Sequence, residues 1–131
     1  MSTSATINLE PGQVWTYHNA SDVGSRVTIG QIDVEGDDAI VSIAISRARS
    51  KSEAVLLEVT DIGHMPIRRA ALLQSLDQHC GRGALPDHFN EGYLHWRGLY
   101  DSGRAGAFDA DLAEAIEFAL STKQTGARRQ L

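Results

Sequence analysis

RVTIGQIDVEGDDAIVSIAI, residues Arg26 to Ile45, holds two alternating apolar runs separated by turn-forming residues. In the first, Val27 and Ile29 share a side, the phase slips at Gly30, and Ile32 and Val34 resume the alternation one residue late. A bulge at Gly30 restores all four to one face. In the second, Val41, Ile43 and Ile45 face one way and Ser42 and Ser46 the other. Glu35-Gly36-Asp37-Asp38 between them supplies a glycine that takes positive φ and two acids that favour loops. The stretch predicts a long antiparallel hairpin with one oily face.

Outward from the hairpin, Pro11-Gly12 precedes a short aromatic strand, Gln13 to His18, expected to pair with the first hairpin strand across the turn Asn19 to Ser25. Residues 1–9 read as a polar leader. After Ile45, small residues alternate with Arg47, Arg49 and Lys51, which an extended chain places on one side as a basic ridge. Glu53 to Val59 returns to strand character. At Asp61 to Pro66 the period changes to that of a helix. Ile67, Ala70, Ala71, Leu73, Leu76 and Cys80 then trace a stripe that predicts a first helix from Pro66 to Gly81. Phe89, Tyr93, Trp96 and Tyr100 predict a second helix with an aromatic face, Phe89 and Trp96 in the core and the tyrosines nearer the surface. Asp109 or Asp111 caps a third, whose Leu112, Ile116, Ala119 and Leu120 share a side. Residues 122–131 read as a frayed polar tail. Strands first and helices afterwards define an α+β fold: an antiparallel meander of about four strands, then three helices covering one face.

The 131 residues suffice for one domain with its own core. Seventeen acids against twelve Lys and Arg give a net charge of -5, which disfavours broad nucleic-acid binding. The lone Cys80 cannot form an internal disulfide, and no stretch has the length and apolarity of a membrane span. A reducing cytoplasm is the expected compartment.

Pro11-Gly12-Gln13-Val14-Trp15-x-Tyr17, Ser25 to Ile29, His64-Met65-Pro66, and Leu85-Pro86-Asp87 with Glu91-Gly92-Tyr93-x-x-Trp96 resemble a family of small bacterial proteins to which no activity is attached. The resemblance implies a bacterial single domain and no catalytic residue.

His64 is the best single candidate for chemistry, at the junction of sheet and helix with Asp61 nearby. There is no GxSxG, HExxH or phosphate loop to accompany it, and a structural hydrogen bond at the turn is the competing role. His79, Cys80, His88 and His95 match no zinc spacing, and Asp33, Glu35, Asp37 and Asp38 do not have EF-hand spacing. No metal or other cofactor is expected.

Two functions from different classes follow. One is a non-enzymatic protein-binding module of immunity or adaptor type, or a homodimer joined through its sheet. It would use Tyr93, Tyr100, the acidic turn at Asp37 and Asp38, and the ridge of Arg47, Arg49 and Lys51. The other is a small ligand-binding domain or enzyme with a pocket between sheet and helices, using His64 and Tyr93.

Overall fold

A computed structural model describes residues 8–50 and 59–129, with 122–129 described by backbone alone. Five strands, β1 (Gln13–Tyr17), β2 (Arg26–Glu35), β3 (Asp38–Ala48), β4 (Thr60–Arg68) and β5 (Leu76–Arg82), form one antiparallel sheet in the order β4-β3-β2-β1-β5. The helices are α1 (Arg69–Ser75), α2 (Phe89–Asp101) and α3 (Leu112–Arg129). The fold is α+β and β1 to β4 run as a meander, but the fourth strand falls at Thr60–Arg68, where the change to helical period was expected. Among the described residues no helix is long and apolar enough to cross a membrane.

The hairpin forms as its alternation dictates. Ile29 lies opposite Ile43, the register shifts at Gly30, and Ile32 and Val34 then lie opposite Val41 and Ala39. The shift keeps Val27, Ile29 and Ile32 on the same side as Val41, Ile43 and Ile45. Gly36 makes the turn with φ of 61°. On the outer edge of β4, Pro66 sits where its missing N–H costs no ladder bond. At its C-terminal end that edge is covered by Phe108, whose N–H donates to the Pro66 carbonyl at 3.0 Å and whose carbonyl accepts from Arg68 at 2.8 Å.

The first helix differs from its expected form. Residues 66–81 do not make one helix: β4 continues through Arg68, α1 holds only seven residues, and β5 begins at Leu76. Cys80 therefore lies on an exposed edge strand, not on a buried stripe. α1 connects the two outer strands of the sheet with no loop on either side. Laid flat, those edges would stand about 19 Å apart, whereas seven helical residues rise about 10 Å. The sheet must therefore curl into a half-open barrel that α1 bridges.

Inside the curl, Trp15, Tyr17, Val27, Ile29, Val41, Ile43, Ile45, Met65 and Ile67 pack with Leu72 of α1 and with Leu112, Ala115, Ile116 and Leu120 of α3. Ser75 ties this side together: its carbonyl accepts from His18 N–H at 2.9 Å, and its hydroxyl accepts from Leu112 N–H at 2.9 Å. The cap of α3 thus comes from α1 and not from Asp109 or the Asp111 side chain. β3 is buried without interruption from Ala39 to Ile45, which requires cover on both sides. The helices are accordingly shared between the faces, α1 and α3 within and α2 outside.

Candidate functional site

α2 lies over the outer face because two glycines let it approach. Gly30 leaves room for the Phe89 ring, and a Cβ at Gly92 would stand 2.9 Å from the His64 Cβ. The stripe Phe89, Tyr93, Trp96 and Tyr100 turns onto the sheet as its spacing implies. Phe89 and Trp96 are buried and the two tyrosines half-buried.

His64 projects from β4 into this stripe. Its ring centre lies 5.5 Å from Phe89, 6.0 Å from Tyr93 and 5.7 Å from Trp96. Its Nε2 meets the Ser42 hydroxyl at 2.9 Å. Burial lowers its pKa to about 4, so the imidazole is neutral near pH 7. Ser42 is fully buried, which withholds its hydroxyl from any substrate. The pair is a packing hydrogen bond between β3 and β4, and a base this weak is poorly matched to proton abstraction at neutral pH.

The tyrosines are held by carboxylates of β2. Tyr93 donates to Asp33 Oδ2 at 2.9 Å and Tyr100 to Glu35 Oε2 at 2.7 Å. Burial, and then the bond to Asp33, raises the Tyr93 pKa. For Tyr100 the bond to Glu35 is the larger cause of a rise, followed by burial. Arg68 reaches Glu35 at 3.4 Å and Asp38 at 3.8 Å, and Arg97 reaches Asp33 at 3.7 Å and Asp101 at 3.2 Å. This belt fastens α2 in one register on the sheet.

The remaining candidates fall elsewhere. Asp37 is exposed at the hairpin turn, while Asp38 accepts from the Ala39 N–H at 2.7 Å. Arg47 and Arg49 converge on buried Asp22, with contacts of 2.9 and 3.1 Å. The hydrogen bond from Arg47 holds the Asp22 carboxyl below its ordinary pKa. Arg47 has φ of 54°, which breaks the simple alternation behind the expected ridge. Two of its three cations are drawn to an internal acid, and Lys51 lies outside the described residues, as does the expected strand from Glu53 apart from Val59. Sequence reasoning passed over Asp22 and Ser42 as site residues, since a lone acid in a turn and a serine in a strand carry no motif.

Beside His64 is an open cleft of about 600 Å³ lined by His88, Glu91, His95, Trp96 and Leu99. Among the described residues no three His, Cys, Asp or Glu side chains come together in a way that could hold a metal ion. A second, apolar groove of about 320 Å³ runs along α3 between Phe108, Ala110, Glu114, Ala115 and Phe118. Phe118 is 62% exposed and meets Phe108 edge to face at 5.8 Å.

The chain matches no family model, no curated protein and no solved structure.

His64 gives a test of the α2 layer. Burial sets its folded pKa at about 4, against 6.5 for a solvated imidazole, so between those values the unfolded chain binds the extra proton. The stability contributed by the neutral ring is complete above pH 6.5 and is lost as pH falls toward 4. Allowing for the partial exposure of the ring, about 1–2 kcal/mol is at stake. In His64→Gln the loss of urea resistance between pH 6.5 and 4.5 should shrink by about that amount. An equal acid slope in both proteins would remove His64 from the account.

Proposed function

We propose that the chain is a non-enzymatic protein-binding module whose contact surface is the outer side of α3. The observation that carries this is Phe118, a large aromatic held 62% exposed at the rim of an apolar groove. Aromatic anchors beside a groove that accepts an apolar side chain are characteristic of binding hot spots. Exposed Glu114 borders the groove, and a net charge of -5 speeds encounter with a partner that offers basic residues. The compartment we infer is a bacterial cytoplasm, in keeping with a single free thiol at Cys80.

The test compares wild type with Phe118→Glu as immobilised bait in lysate of the source cell, both checked by circular dichroism. Proteins held by wild type should bind the variant at least about 10-fold more weakly. Equal recovery on both baits would dismiss the α3 surface.

The cleft beside His64 supports a second reading, a small-molecule site, since its volume lies within the usual range for ligand pockets. There a ligand screen by thermal shift should stabilise wild type and not His64→Ala. A screen with no hit on wild type would count against it.

A further inference from the structure

Apart from the α3 surface, we propose that the cleft beside His64 takes an extended, basic peptide segment of a partner protein, added as a further strand to the outer edge of β4. That edge already carries one such pairing. Phe108 forms an isolated parallel bridge with Ile67, its N–H bonded to the Pro66 carbonyl and its carbonyl to the Arg68 N–H. Pro66 and Arg68 thus turn their main chain outward, and Met65 and Ile67 turn theirs to β3. Ile62 lies opposite Ile45, two residues along from Ile43 opposite Met65, so it too is bonded inward and its neighbours Asp61 and Gly63 are not. Between Ile62 and Met65 the register shifts, which leaves β4 one residue more than β3 can pair. Among the described residues nothing pairs with this half of the edge, and a row of open N–H and C=O groups is a template for another strand.

The cleft lies alongside these open groups. Gly63 lines it from the strand, and no atom beyond its chain neighbours stands within 4 Å of where a Cβ would be, which leaves room for a second main chain. From α2, His88, Gly92, His95 and Leu99 line it and share one stripe of the helix, at spacings of three and four. A sheet edge beside a helix-walled groove is the geometry in which main-chain bonds supply affinity and the groove selects side chains. Here it selects an apolar residue, for Trp96 and Leu99, next to a cation, because its lining includes the carboxylate of Glu91 and no Lys or Arg. The open main chain at Asp61 and Gly63 favours a peptide in this cleft over a small molecule.

The experiment is selection of a phage-displayed library of random linear heptapeptides on the full chain, followed by amide chemical-shift mapping with the leading peptide made synthetically. The selected sequences should set an apolar residue beside Lys or Arg, and the peptide should move the signals of Asp61, Gly63 and α2. Glu91→Arg, confirmed folded by circular dichroism, should bind it at least about 10-fold more weakly. N-methylation of alternate peptide nitrogens removes main-chain donors and keeps the side chains, and one of its two phases should abolish binding. No enrichment, or equal binding by both methylated forms, overturns strand addition, and small-molecule hits that depend on His64 would then leave the cleft standing as a ligand site. Equal affinity for Glu91→Arg overturns the basic character of the segment. Shifts that fall on α3 in place of β4 overturn this site and leave the binding-module reading intact.

Discussion

Gly30→Ala should unfold at clearly lower urea than wild type, with a loss of about 3 kcal/mol, the upper end for overpacking a filled site. The added methyl would overlap Cζ of Phe89 and stand 2.7 and 2.8 Å from its two Cε atoms. Phe89 is buried between the bulge and His64, so its ring can leave only if α2 shifts. Phe89→Leu shortens that ring and should recover part of the loss, making the double variant more stable than the sum of the single changes implies. Simple additivity would mean that the bulge and α2 are not in contact in solution.

Leu72→Ala should cost a similar amount, about 3 kcal/mol, for a fully buried leucine. Its consequence should be local as well as global. α1 has seven residues, no side-chain cap, no acid in its first turn and no base in its last, and it is far shorter than a helix that stands by itself. Packing of Leu72 into the barrel is its main support. Removing that side chain should raise amide exchange across Leu76 to Arg82 more than across β2 and β3. Uniform exchange throughout the sheet would show that β5 is held by β1 alone.

The same segment marks where sequence reading stops. The hairpin was legible because its slip at Gly30 is written in the alternation, and the aromatic stripe of α2 because four large residues recur at helical spacing. Between Pro66 and Gly81 the signals mislead. Ile67 closes a strand and Leu76 opens another, yet with Ala70 and Leu73 they also fit a helical stripe, and short apolar runs do not separate the two. β5 carries no alternation to betray it, since all its residues after Leu76 are exposed. At the site, His64 and the tyrosines were visible as residue types, but their partners were not. Ser42, Asp33 and Glu35 come to them from 22, 60 and 65 residues away, and no local pattern records such pairings. Phe118 was equally silent, because one aromatic on a helix gives no hint of whether it is covered.

The division of helices between the two faces also separates the two tryptophans of this chain. Trp15 belongs to the barrel interior, its indole N–H donating to Gln13 Oε1, while Trp96 lies on the sheet-facing side of α2 and donates to the Gly106 carbonyl. Each layer thus carries its own intrinsic fluorophore. Trp15→Phe leaves emission from the outer layer alone and Trp96→Phe from the interior alone, so the pair would record whether α2 lifts before the barrel opens or the two melt as one.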